Sequence, residues 1–249
     1  MRNEELFSTQ ASTYAQFRPS YPLALFNSLA SLVKHHTIAW DCATGNGQSE
    51  QSLAHLFPKV IATDANPRQI KQTAPRPGIL YALSHAENAA LASHSVNLVT
   101  VSQAIHWFNL DLFYAEIKRV VVPGGIIAAW CYAQIDINQA INAIFKHLMD
   151  DITGPYWSPR RQLVDEHYRT LPFPFDEINM PSYAIQVNLS LGSLKGYVDS
   201  WSATQKFIET RRYNPWDEIE KDMLKAWVDP FTFYPAQWPL YLRVGRLHE

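Results

Sequence analysis

Ile38-Ala39-Trp40-Asp41-Cys42-Ala43-Thr44-Gly45-Asn46-Gly47-Gln48 runs from a short apolar strand through an acid into a glycine turn and a polar helix start. A strand feeding such a turn presents backbone N–H groups to a ligand where side chains would be in the way. The acid decides between ligand classes. A dinucleotide-binding turn reads G-x-G-x-x-G and offers its helix start to a pyrophosphate. Here the glycines are Gly45 and Gly47, and Glu50 stands where the third would be. Asp41 beside the turn would repel phosphates, so the turn suits a ligand with a cationic end and no phosphate.

Working outward, Val60-Ile61-Ala62-Thr63-Asp64 is a second apolar strand ending in an acid, placed where a carboxylate accepts both hydroxyls of a ribose. His85-Ala86-Glu87-Asn88-Ala89-Ala90-Leu91 is a polar turn with a third acid, and Ser95 to Ser102 reads as a strand followed by Gln103-Ala104-Ile105-His106-Trp107-Phe108. Leu112, Phe113, Ile117 and Val120 have helical spacing, and Pro123-Gly124-Gly125 precedes the strand Ile126 to Trp130. Strands alternating with helices predict a parallel sheet with right-handed crossovers and ligands at the carboxyl ends of the strands. All three acids fall near those ends.

Over about residues 35 to 133 the chain resembles the class I S-adenosylmethionine-dependent methyltransferases. Within them it is similar to the small-molecule branch that includes trans-aconitate methyltransferase-like proteins. That narrower likeness rests on Tyr14-Ala15-Gln16-Phe17-Arg18-Pro19-Ser20-Tyr21-Pro22 and on Ile105-His106-Trp107-Phe108. The resemblance implies a Rossmann-like, seven-stranded, mostly parallel sheet. Helices lie on both faces, an antiparallel strand near the C-terminus, and a helical or irregular substrate lid above. It implies one methyltransferase domain over 1–249: N-terminal cap helices (1–34), a cofactor-binding core (35–133), a lid with the last helices (134–236) and a final strand (237–249).

S-adenosyl-L-methionine, with its adenosine, sulfonium and amino-acid tail, is then the expected cofactor. By resemblance, Gly45 backs its methionine part, Ala43 and Gly47 belong to the same cofactor-binding turn, and Asp41 helps hold that turn and favours the ammonium. Asp64 takes the ribose, Ala65 lies against the adenine, and Ala86 and Glu87 meet the adenine edge. Ser102 and Gln103 lie under the sulfonium. Ala43 replaces the first glycine of the Asp-x-Gly-x-Gly-x-Gly pattern of many members. Tyr14 and Arg18 belong to a segment expected to fold over the cofactor, where an Arg fork suits a carboxylate.

Methyl transfer from a sulfonium is an in-line displacement with the reacting atoms held about 3 Å apart. A carboxylate acceptor is ionised at pH 7 and needs no base, whereas a phenol or amine can need one. His106 is the candidate base, with packing in a loop as its plainer role. Tyr21, Trp107, Tyr197 and Trp201 join it as candidate substrate contacts. Arg160-Arg161 and Arg211-Arg212 read as solvated pairs, with the holding of an acidic substrate as the sharper alternative. O-methylation of a small molecule on carboxylate or hydroxyl is the expected activity. The alternatives are a methyltransferase for RNA or protein and a non-catalytic S-adenosylmethionine-binding regulator.

The 249 residues are 47% hydrophobic and 18% charged, which supports a full core. A formal charge of −2 gives no bulk attraction to nucleic acid or anionic lipid, so neither is an expected partner. Cys42 and Cys131 read as buried free thiols in a cytoplasmic protein. The polar start Met1-Arg2-Asn3-Glu4-Glu5 does not read as a signal peptide, and no apolar run of about 18 residues predicts a membrane span. The nine His are scattered and Cys-x-x-Cys is missing, so no metal is expected. There is no G-x-S-x-G elbow and no Walker A lysine. After the fourth strand stands Ser-Gln-Ala-Ile-His rather than the Asn/Asp-Pro-Pro-Tyr/Phe signature of many amino-group methyltransferases.

Beyond residue 134, five of the eight Trp and nine of the sixteen Pro occur from Pro155 onward. Helices are predicted over 137–149, 194–207 and 215–228, and strands over 183–191 and 239–247. The aromatics of this region are expected either to form a substrate lid or to pack the back of the core.

Overall fold

The computed structural model describes residues 20–248 apart from Ala74 and Ala133. Tyr14 and Arg18 therefore lie outside the described residues. Helix α1 (Leu23–Ser31) buries Leu25, Phe26 and Leu29 and leads to strand β1 (Ile38–Cys42). After the glycine turn come α2 (Glu50–Ala54) and β2 (Lys59–Asp64). Asn66 caps α3 (Pro67–Gln72), with Pro67 in its first turn where its missing N–H costs nothing. Strands β3 (Ile79–Leu83) and β4 (Val96–Ser102) follow, then α4 (Leu110–Val120), capped by Asn109, and β5 (Val121–Tyr132). The second half holds α5 (Gln139–His147), α6 (Arg161–Asp165), β6 (Asp176–Glu177), β7 (Tyr183–Leu189), α7 (Leu191–Asp199), α8 (Ser202–Arg211), α9 (Glu220–Trp227) and β8 (Tyr234–Arg246).

The strands form one sheet in the order β3-β2-β1-β4-β5-β8-β6, with β7 also paired to β8. Pairings from β3 to β5 are parallel and those made by β8 are antiparallel. The sheet thus has one strand more than the predicted seven, the addition being the two-residue β6. The chain winds one way from β1 to β3 and the other way from β4 onward. β1 and β4 are neighbours at this reversal, and the crevice outside their carboxyl ends is where such sheets take ligands.

Alternation along β5 shows how the sheet is covered. Ile126, Ala128 and Trp130 face a core shared with α1, α5 and the C-terminal helices. Ile127, Ala129 and Cys131 face a second core with Phe113 and Ile117 of α4 and Tyr168 and Phe175 of the later segment. Both cysteines are buried and free. No helix among the described residues is long and apolar enough to cross a membrane.

Three boundaries differ from the sequence expectation. The predicted helix over 194–207 is two helices broken at Ser200-Trp201. There the Ser200 hydroxyl bonds Tyr197 O at 2.6 Å and Thr204 Oγ1 bonds Val198 O at 2.8 Å, competing with the helical ladder. The segment 215–228 is a 3₁₀ turn, Pro215–Glu218, followed by α9. β8 starts at Tyr234, five residues before the predicted Pro239 and three before 237. Its first half pairs only with β7 among the strands, and Gln237 exchanges hydrogen bonds with Asp136 on the other side. Pro235 and Pro239 are in phase with Gln237, so their missing N–H groups point away from β7 and cost that ladder nothing.

Candidate functional site

At the carboxyl ends of β1 and β4 the backbone is bent into conformations that L residues seldom adopt. Ala43 (φ 56°), Gly45 (φ 59°), Gly47 (φ 90°) and Gln103 (φ 54°) all have positive φ. Such strain gathers where a ligand site requires it. Gly45 has open space where a Cβ would stand, as a turn that backs a ligand needs. At Gly47 φ demands glycine, and a Cβ there would also push aside the carboxyl end of the Glu50 side chain. Ala43 takes the same left-handed conformation with a Cβ, so Ala43→Gly should stabilise the protein. About 0.5–1 kcal/mol is expected, read as roughly 2 °C in thermal unfolding.

Acids surround this turn. Asp41 is fully buried in β1; its Oδ1 accepts from Thr100 Oγ1 at 2.7 Å and its Oδ2 from Thr44 Oγ1 at 2.6 Å. Burial first, and then the neighbouring Glu50, push the Asp41 carboxyl up to about 7. Burial also raises Glu50, whose Oε1 accepts from the Tyr81 hydroxyl at 3.2 Å. Asp64, half-buried at the end of β2, accepts Gly45 N–H on Oδ2 at 2.9 Å and Asn66 N–H on Oδ1 at 2.8 Å. The second acid thus ties its own strand end to the glycine turn of the first. Burial raises its pKa and the two backbone donors oppose that.

The remaining predicted cofactor residues fall around the same crevice. Ala65 follows Asp64, and Ser102 ends β4 with its hydroxyl 3.4 Å from that of Ser49 in the turn after β1. Ala86 is buried in the turn after β3, and Glu87 beside it accepts Asn109 N–H at 2.9 Å, joining that turn to the start of α4.

Beyond β4 lies a small cavity of about 110 Å³. Gln103, His106, Trp107, Tyr197 and Trp201 meet there. The break between α7 and α8 places Trp201 on the wall. Tyr21 does not line the cavity; it is buried edge-on against Trp130, with ring centroids 5.3 Å apart. The aromatics of the second half divide between both expected roles. Trp157 and Trp201 line the cavity, whereas Trp216, Trp227 and Trp238 are sealed in the core.

Arg161, singled out in the sequence only as one of the Arg160-Arg161 pair, lies in the cavity wall, and Tyr168, which the sequence did not single out, stands behind His106. Arg161 lines the cavity, stacks over Trp157 at 4.6 Å, and sends Nε to Asp165 Oδ1 at 2.8 Å. Its Nη2 meets only the weak acceptor Met149 Sδ at 3.8 Å among the described residues, which leaves donor capacity for a ligand. The sequence signal was the Arg160-Arg161 pair itself. Arg160 instead donates to His106 O at 2.8 Å and so fixes the loop after β4. His106 is buried; desolvation, then Arg161 and Arg160, lower its pKa to about 3. It is neutral at pH 7 and a weak base. No cluster of three or more His, Cys, Asp or Glu suited to a metal occurs among the described residues.

Comparison with known proteins shows the family. The methyltransferase domain family matches residues 40–129, from β1 into β5. A Dictyostelium discoideum protein named as a methyltransferase is 32% identical over 228 residues, covering 90% of this chain and 87% of the relative. A solved structure from Anaeromyxobacter dehalogenans, named as a type II methyltransferase, is 35% identical with a TM-score of 0.88. The match covers 94% of this chain and 100% of that one. A Saccharomyces cerevisiae protein named as an S-adenosylmethionine-dependent methyltransferase is 26% identical over 172 residues, 64% of this chain and 59% of the relative.

Proposed function

The chain belongs to the S-adenosylmethionine-dependent methyltransferases of the class I fold, and from that premise we propose that it methylates a small molecule on a carboxylate oxygen. The residues fit the cofactor. The crevice offers an open glycine turn, no third glycine for a pyrophosphate, and buried acids for a cationic end. Asp41 and Glu50 supply negative potential for the ammonium, Asp64 the ribose contact, and Ala65, Ala86 and Glu87 the adenine surroundings. Bound S-adenosylmethionine supplies an electrophilic methyl group.

The observation that carries the acceptor reading is Arg161 in the wall of the cavity beyond β4. A guanidinium among aromatic side chains suits a small anion with an apolar body. The second support is the weakness of His106 as a base, which a carboxylate does not need and a phenol or amine can need. The similarity to trans-aconitate methyltransferase-like proteins points the same way, as an analogy. Trp157, Tyr197 and Trp201 would exclude water while Gln103, at the strained end of β4, positions the acceptor near the methyl group.

The test is methyl transfer to matched small carboxylic acids, alcohols and amines by the wild type and Arg161→Met. The acids should be turned over. In the variant the acceptor KM should rise about tenfold, because Arg161 is partly exposed and already shares its charge with Asp165. Cofactor affinity should not change. Equal turnover of acids by both proteins, or preference for amines, would remove the carboxylate reading.

A further inference from the structure

One hydrogen-bonded pair, His106 in the cavity wall and Tyr168 behind it, has no part in the transfer as described. His106 stands in the 3₁₀ turn Ile105–Trp107, directly after β4, with Nδ1 2.7 Å from the hydroxyl of Tyr168. Tyr168 is fully buried on the far side of the imidazole, and both it and His167 before it have positive φ, 59° and 58°. A pair of adjacent non-glycine residues in the left-handed region is strained backbone, retained where the side chain it aims is needed.

Two arrangements of the shared hydrogen are open. If His106 Nδ1 carried it, Tyr168 would accept, and the phenol's own hydrogen would have no acceptor among the described residues. A buried donor left unsatisfied keeps its full desolvation cost. If Tyr168 donates, Nδ1 is the acceptor and the ring's hydrogen sits on Nε2, which is not sealed from solvent and opens to the cavity that His106 lines, where water or a ligand can accept from it. Burial keeps the phenol protonated by raising its pKa well above the ordinary value. The charged groups facing the imidazole are Arg160, on its backbone carbonyl, and Arg161, in the cavity wall; both oppose a third positive charge.

We propose that Tyr168 is a positioning residue that locks His106 as the Nε2–H tautomer, so that His106 offers the cavity a hydrogen-bond donor rather than a base. With Arg161 this makes two donors converging on one space, a two-point receptor for the anionic group of the acceptor. The second statement rests on the carboxylate reading above; the tautomer lock does not.

Nitrogen NMR of histidine-labelled protein saturated with S-adenosylhomocysteine tests the lock without any acceptor. The expected spectrum has His106 as one neutral ring with its hydrogen on Nε2, unchanged between pH 8 and about 5.5. Tyr168→Phe, which keeps the packing, should lose that single tautomer. A hydrogen on Nδ1 in the wild type, an imidazolium in that range, or a Tyr168→Phe spectrum identical to the wild type would overturn the proposal.

Benzoate binding, followed by fluorescence of the cavity tryptophans, tests the donor. Affinity should fall about tenfold in Tyr168→Phe and in His106→Ala, and His106→Gln, whose carboxamide still donates, should recover most of it. Equal losses in His106→Gln and His106→Ala would overturn the donor role. A locked tautomer in a protein that does not bind benzoate would leave the lock standing and remove the carboxylate reading.

Discussion

Asp64→Ala should lower S-adenosylmethionine affinity about 100-fold while leaving a folded protein of reduced stability. A two-point carboxylate contact to the ribose hydroxyls is worth about 2.7 kcal/mol on this scale. The carboxylate also accepts Gly45 and Asn66 N–H, so the substitution strands two partly buried donors. Each costs about 1–3 kcal/mol if water cannot reach it, and the turn itself loosens. A ligand cycle separates the two effects. The 2′-deoxy analogue of S-adenosylhomocysteine should bind the wild type much more weakly than the parent compound, and Asp64→Ala should scarcely distinguish them. Equal discrimination by both proteins would confine Asp64 to holding the turn.

Asp41→Asn should lower S-adenosylmethionine affinity about 30-fold at pH 8 and at the same time make the unliganded protein more stable there than the wild type. Burial raises the Asp41 pKa from 3.8 to about 7, so between those values the native state binds more protons than the unfolded state. Its contribution to stability therefore falls as pH rises from about 4 to about 7 and stays low above that. His106 acts in the opposite sense: its lowered pKa makes stability rise with pH between about 3 and 6.5. The variant must be compared with the wild type at each pH, and the Tm difference in favour of Asp41→Asn should grow from pH 5 to pH 8. Wild-type cofactor affinity should strengthen across the same window as the carboxylate ionises, and the variant should flatten that dependence. A difference in Tm that is constant with pH would show that Asp41 is not the buried group being titrated.

The parts of the fold legible in the sequence are those where one local rule suffices. β1, β2 and β4 are apolar runs closed by Asp41, Asp64 and Ser102-Gln103, and parallel strands buried on both faces read that way. β7 alternates cleanly from Tyr183 to Leu189. The start of β8 was hidden because Pro235 and Pro239 count against a strand until the sheet edge that tolerates them is known. The break at Ser200-Trp201 depends on hydroxyls bonding back to Tyr197 O and Val198 O, a choice that periodicity does not reveal.

The site divides in the same way. Gly45, Gly47, Asp41 and Asp64 announce themselves because they follow strands at fixed spacing. Glu50 was noticed only as a missing glycine, yet it is a buried acid beside Asp41. Tyr168 lies 62 residues from His106, and only the closing of the second half over the sheet brings them together. Arg161 resembled its neighbour Arg160 in sequence, and the start of α6 turns one to the cavity wall and the other to the backbone after β4.

The fate of the transferred methyl group distinguishes carboxylate methylation from every other acceptor. The protein is incubated with S-adenosylmethionine labelled in its methyl group and a set of small mono- to tricarboxylic acids, then treated with mild alkali. Methyl esters release labelled methanol under those conditions, whereas methylated amines, ethers and carbon centres do not. Label should be recovered as methanol, dependent on the acid supplied and reduced in Arg161→Met. Label held in base-stable products, or in RNA or protein instead of the small acids, would contradict carboxylate methylation.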